Sequence, residues 1–155
     1  MTIFYTASYY GKAKYQKYYD LVREAIERHR DVTLISPEKD NYLSLVSQRK
    51  KKVLATPRRI HYEAIKRGIQ KADAVIIEIT NEDFQLGHEA TLAIQARKHV
   101  LCLSLTENFE EKISHRYFHA AKYNEYTADE IVEAFLTIAR KEYQNQRFNL
   151  FLSSR

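Results

Sequence analysis

The sequence predicts an α/β domain in which helices cover both faces of a doubly wound, five-stranded parallel sheet. Three observations carry that expectation. Strand-like and helix-like stretches alternate along the chain, the pattern of a parallel sheet with crossover helices. "DAVIIEIT" (73–80) and "HVLCLSL" (99–105) are dominated by apolar residues, as strands buried on both faces are. The long stretches between strands place apolar residues at helical spacing with charged residues opposite.

In chain order, "TIFYTAS" (2–8) is a buried first strand, and Gly11 ends the turn after it. "KAKYQKYYDLVREAIERHR" (12–30) is an amphipathic helix, with Tyr15, Tyr18 and Tyr19 on the face of Val22 and Ile26. "VTLIS" (32–36) is a second strand, stopped by Pro37, and 41–55 carries a weaker helical pattern. Thr56 as N-cap and Pro57 at the first helical position open the helix 56–72. Strand 73–80 leads to a helix over 84–98 with Leu86, Ala90, Ala93 and Ile94 inward, then to strand 99–105. "AKYNEY" (121–126) is an edge strand, and "TADEIVEAFLTIARKEYQNQ" (127–146) a closing helix begun by a Thr127–Glu130 capping box. Val75, Ile76, Ile77, Val100, Leu101 and Leu103 are the expected core. The simplest right-handed winding is the flavodoxin-like order 2-1-3-4-5.

That order makes strands 1 and 3 neighbours at the switch point, where open α/β sheets bind ligands. The cleft is then lined by "TASYYG", by "EITNED" and by the helix start at Glu89, which singles out Ser8, Tyr9, Tyr10, Glu78, Asp83 and Glu89. The four polar residues that are not tyrosines each have a plainer reading. Glu89 is an acid near a helix start, Asp83 a helix cap, Ser8 a strand-end backbone partner, and Glu78 a structural carboxylate. Asp73 falls at the opposite end of its strand, as an anchor.

The 155 residues suit a single domain over 1–155, and three Gly and two Pro leave no room for a linker. No apolar run approaches membrane-spanning length, and the N-terminus lacks signal-peptide character. One cysteine, Cys102 in an apolar run, excludes an intrachain disulfide and fits a reducing cytoplasm. The net charge is +5, and residues 47–67 hold eight Lys or Arg against one Glu. That run attracts phosphate or simply solvates a helix face. No nucleic-acid-binding motif accompanies it. His115 and His119 are the one histidine pair at helical spacing and lack further ligands, and there is no Gly-rich phosphate loop. No metal or cofactor is expected.

"IQKADAVIIEITNEDFQLGHEATLAIQARKHVLCLS" resembles the nucleoside 2-deoxyribosyltransferase family, most closely its 2′-deoxynucleoside 5′-monophosphate N-glycosidase branch. Asp73, Glu78, Gly87, Glu89 and Ala93 stand in the register of that family's pattern. "FYTASYYG" matches its first strand and turn, and the resemblance spans roughly residues 3–105. It implies that Glu89 is the nucleophile at the anomeric carbon, forming a glycosyl-enzyme ester resolved by water or a second base. It implies a base contact for Asp83, with Ser8, Tyr9, Tyr10, Phe4, Glu78 and Gly87 around the substrate. It implies a homodimer or higher oligomer, for which the Tyr-rich first helix and "RFNLFLSS" (147–154) offer apolar surface. The chain also departs from the pattern. Tyr9 and Tyr10 replace an Ile-Arg pair, Phe4 an aromatic with a hydroxyl, Ile65 a helix Asp, and Gln85 a glycine. Three functions therefore stand at this point: an N-glycosidase or deoxyribosyltransferase, a nucleoside- or nucleotide-binding module with a degenerate site, and a basic nucleic-acid-binding protein.

Overall fold

A computed structural model describes residues 1–109 and 113–153; Ser154 of the apolar tail lies outside them. Five strands, β1 (Thr2–Ala7), β2 (Thr33–Ile35), β3 (Ala74–Glu78), β4 (His99–Ser104) and β5 (Phe118–Lys122), form one sheet in the order β2-β1-β3-β4-β5. Every pairing is parallel. The helices are α1 (Lys12–Glu27), α2 (Gln48–Leu54), α3 (Pro57–Lys71), α4 (Phe84–Gln95) and α5 (Ala128–Ser153).

The period-2 alternation of the strands divides the core into two layers. Ile3, Tyr5, Ala74, Ile76, Leu101 and Leu103 pack with Val22 and Ile26 of α1 and with Val132, Phe135 and Leu136 of α5. Phe4, Val75, Ile77, Val100 and Cys102 face the other way, onto Ala64, Ile65 and Ile69 of α3 and Leu86 and Ala93 of α4. All six expected core residues are buried. Tyr19 is fully buried and Tyr18 packs against the same layer, so the tyrosines of α1 largely serve the core.

Local signals hold α3 and the strand starts in place. Thr56 Oγ1 accepts the Arg59 N–H at 3.3 Å, and Pro57 opens α3. Asp73 Oδ2 accepts the Thr2 N–H at 2.7 Å, which anchors β1 to β3 at the end away from the switch point. The Lys98 ammonium, just past α4, donates to the carbonyls of Ile69 (2.8 Å), Gln70 and Ala72. It thereby satisfies acceptors that the C-terminus of α3 leaves open.

Two expectations are corrected at the C-terminal end. The edge strand is Phe118–Lys122 rather than 121–126. Asn124 Oδ1 accepts the N–H groups of Tyr126 (2.8 Å) and Thr127 (3.1 Å), and a chain turned on its own Asn side chain cannot continue a ladder. Thr127 does precede α5, but its Oγ1 accepts from Asn124 N at 3.0 Å instead of from Glu130. The expected capping box is replaced by this Asn-Thr turn.

Candidate active site

β1 and β3 run side by side, with Ala7 opposite Glu78, and diverge where their chains leave the sheet. A cleft of about 650 Å³ opens there, within the size range of small-molecule sites. Thr6 and Ala7 at the end of β1, Leu86 and Glu89 on α4, and His61 on α3 line it, with Tyr42 from the turn after β2. Tyr9 and Tyr10 stand at its mouth, 75% and 80% exposed, with rings edge-to-face.

Glu89 lies on the second turn of α4, on the inward face with Leu86 and Ala93, and is 2% exposed. Asp83, not Glu89, is the N-cap: its Oδ1 accepts the Gln85 N–H at 3.0 Å. The helix dipole acts within the first turn, so it does not account for a buried carboxyl one turn further on. Glu89 Oε1 accepts from Gln85 Nε2 at 3.4 Å. Oε2 is buried with no hydrogen-bond partner. Burial pushes the Glu89 carboxyl up to about 8; the charge of Asp83 adds to the rise, and hydrogen bonding from Gln85 and Thr6 opposes it. An unsatisfied buried acceptor costs roughly 1–3 kcal/mol and calls for an explanation.

Ser8 and Asp83 meet as the switch-point geometry predicts. Ser8 Oγ donates to Asp83 Oδ2 at 3.1 Å and accepts from Asn81 Nδ2 at 3.0 Å. Asp83 thus caps α4 and lines the cleft at once, while Ser8, 1% exposed, holds it in place from below.

Ser8, buried beneath Asp83, is thus one of four sequence-predicted substrate contacts that do not line the cleft, and the other three are placed elsewhere. Glu78 shares the parity of Ala74 and Ile76 and so points to the α1/α5 layer, opposite the cleft. There Oε1 accepts from Thr80 N at 2.6 Å and Oε2 from the Tyr123 hydroxyl at 2.7 Å. Its burial raises its pKa, and those two bonds oppose the rise. Phe4 is on the cleft side of the sheet but below the floor, fully buried against Gly68, where an added Cβ would lie 2.5 Å from its ring. Gly87 turns to the far side of α4 and lines a separate, mostly apolar cavity of about 480 Å³ with Phe84, Ile94 and Phe109.

The helix carboxylate that the resemblance calls for is absent. Ile65 is buried in the core, and Glu63 faces outward, bonded to Arg67 at 3.0 Å with Lys66 at 3.6 Å. Sequence reading missed His61, one turn before Ile65 on the same helix face. Its Nδ1 lies 2.6 Å from the Tyr42 hydroxyl and its Nε2 3.3 Å from Gln85 Nε2. Burial lowers its pKa. Arg58 is the member of the basic run 47–67 that reaches the cleft, facing Lys12, Glu38 and Asp40. Among the described residues no group of three or more His, Cys, Asp or Glu could hold a metal ion.

No protein-family model matches the chain, and no curated protein matches it. Among solved structures the chain is similar to the 2-deoxyribosyltransferase of the psychrotolerant bacterium Bacillus psychrosaccharolyticus, with a TM-score of 0.53. The two are 16% identical, and the match covers 83% of this chain and 90% of that one. The shared fold is that of a 2-deoxyribosyltransferase. At this identity the likeness is one of fold. That protein is described as a biocatalyst for the synthesis of nucleosides.

Proposed function

We propose that the chain cleaves or transfers the N-glycosidic bond of a nucleoside through a covalent glycosyl ester on Glu89. The observation that carries this is the Glu89 carboxyl itself, 2% exposed, lining the cleft, with Oε2 unpartnered. The fold shared with a deoxyribosyltransferase supports the same class of chemistry. Cleavage of the C1′–N bond builds positive charge on the sugar, and an anionic oxygen beneath C1′ stabilises and then traps it. The bond's electron pair leaves with the base, which takes up a proton. Water, or a second base, then displaces the carboxylate. In this reading Asp83 contacts the departing base, and the exposed Tyr9 and Tyr10 stack on it. Incubation with a panel of nucleosides and deoxynucleotides, followed for free base, tests the reading directly.

The missing helix carboxylate favours a second reading, a binding module that holds a nucleoside without cleaving it. Tight binding without base release from any member of the panel would establish that alternative.

The charges at the cleft bear on phosphate. Arg58 and Lys12 are offset by Glu38, Asp40 and Asp83, and Lys12 Nζ already lies 3.5 Å from Glu38. Carboxylates beside a dianion repel it by on the order of 1 kcal/mol or more when partly desolvated. Unphosphorylated nucleosides are therefore expected to turn over at least as fast as their monophosphates. A strong preference for the monophosphate in paired kcat/KM measurements would overturn this and identify Arg58 as a phosphate ligand.

Assembly is part of the proposal. The buried residues of α5 end at Ala139. Beyond them Phe148, Leu150, Phe151 and Leu152 are each about half exposed or more, surface that a second copy would cover. Sedimentation at micromolar concentration is expected to show a dimer or larger species; a monomer would refute it. Among the described residues no helix is long and apolar enough to cross a membrane.

A further inference from the structure

Tyr42, His61, Gln85 and Glu89 come from three segments: the turn after β2, the start of α3, and successive turns of α4. They meet along one wall of the cleft. Tyr42 Oη and His61 Nδ1 are 2.6 Å apart, with the rings edge-to-face. On the other side of the imidazole, Gln85 Nε2 lies 3.3 Å from His61 Nε2 and 3.4 Å from Glu89 Oε1. One side-chain amide therefore joins the imidazole to the carboxyl.

We infer that His61 is the acid–base residue of this cleft: it protonates the departing nucleobase and later takes a proton from the water that hydrolyses the glycosyl–Glu89 ester. The inference rests on the reading of Glu89 as nucleophile. In the first step C1′ bonds to a Glu89 oxygen as the C1′–N bond breaks. Its electron pair stays on the base nitrogen, and the His61 imidazolium supplies the proton. In the second, the water oxygen bonds to C1′, the C1′–O pair returns to the carboxylate, and the water proton goes to His61. The imidazolium is restored, so the cycle needs no further acid or base. One residue serving as acid and then base is the logic of retaining glycosidases.

The surroundings suit the role. Burial favours the neutral form of each, raising Glu89 and lowering His61; the reacting state carries Glu89 as carboxylate and His61 as imidazolium, nucleophile and acid together. The other titratable and charged groups facing the pair are Tyr9, Tyr10 and Lys12 before and at the start of α1, Glu38, Asp40 and Tyr42 after β2, Arg58 one turn before His61, and Asp83 at the α4 cap. Tyr42, in direct contact, keeps its proton, because burial and then the charge of Asp40 raise its pKa. It can therefore orient the ring without competing for the acid role.

Two substrates separate the possibilities: a nucleoside cleaved by the wild type, and a para-nitrophenyl deoxyriboside, whose leaving nitrophenolate needs no proton. His61→Asn and His61→Gln, each checked for folding by circular dichroism, are expected to lose about 10²–10⁴-fold in base release from the nucleoside. With the nitrophenyl substrate both should show a stoichiometric burst and then a slow steady state, restored by azide, which attacks C1′ without a base. Tyr42→Phe should shift the pH dependence of nucleoside kcat/KM and leave the burst intact. A nitrophenyl burst slowed as much as nucleoside cleavage, or no loss in either nucleoside cleavage or nitrophenyl steady state, in both His61 variants overturns the inference. A nitrophenyl burst that survives Glu89→Gln overturns the nucleophile reading instead, and a wild type inert toward both substrates overturns the two together.

Discussion

Glu89→Gln is expected to abolish base release, by on the order of 10³–10⁶-fold, while the chain stays folded. The amide keeps the size of the side chain, and its oxygen or nitrogen can still meet Gln85, but it cannot form the glycosyl ester. Nucleoside binding should survive, because Asp83, His61, Tyr9 and Tyr10 still line the cleft. The measurement is free base released at saturating nucleoside, beside circular dichroism and a binding isotherm. Base release comparable with the wild type would place the nucleophile elsewhere.

The same substitution is expected to stabilise the fold in a pH-dependent way. In the unfolded chain the Glu89 carboxyl ionises near its ordinary value of 4.5, whereas in the fold burial holds it at about 8. Below about pH 4.5 both states carry the proton and Glu and Gln are equivalent. As pH rises toward 8, the unfolded chain releases its proton and the folded chain does not, so stability falls. Above about 8 the penalty is complete, on the order of 3–5 kcal/mol as an upper bound. Gln carries no such penalty. Thermal melts should therefore coincide at low pH and separate above pH 8, the variant melting higher by on the order of 5–15 °C. Glu78, also buried with a raised pKa, adds a slope common to both proteins and does not disturb the comparison. A variant that melts lower than the wild type at high pH would mean that the folded chain favours the carboxylate.

The sheet was legible because alternation and apolar runs encode it directly, and the place of Glu89 beside the cleft because the strand order puts the start of the following helix at the switch point. Other site residues needed the third dimension. Tyr42 and His61 are unremarkable in a linear reading, nineteen positions apart, and only the packing of α3 beside the β2 turn brings them together. Glu78 was misassigned although the sequence held the answer: its parity with Ala74 and Ile76 sends it to the α1/α5 layer. Phe4 has the parity of Thr6 but lies two residues lower, under the floor rather than at it. Gly87 was assigned by register alone, and a helical residue two positions from Glu89 faces a different side of α4. The edge strand slipped because Asn124 looks like strand continuation until its side chain is seen to turn the chain.

The lysine past α4 has a mechanical consequence. α3 carries His61 and α4 carries Glu89, and Lys98 ties the far end of one to the far end of the other. The gap between imidazole and carboxyl is thus held like a pair of calipers with two fastenings: Gln85 between His61 and Glu89 with Tyr62 on His88 near the cleft, and Lys98 as a rivet at the opposite end of the sheet. Neutralising that ammonium, by acetylation or by Lys98→Met, would touch nothing in the cleft and would leave three carbonyls without their donor. The two arms would then lose their far fastening and keep only the cleft-side one, and a misplacement of about 1 Å is enough to cost on the order of 10²-fold in rate. Part of the cleft's geometry is held by a side chain that lies outside it.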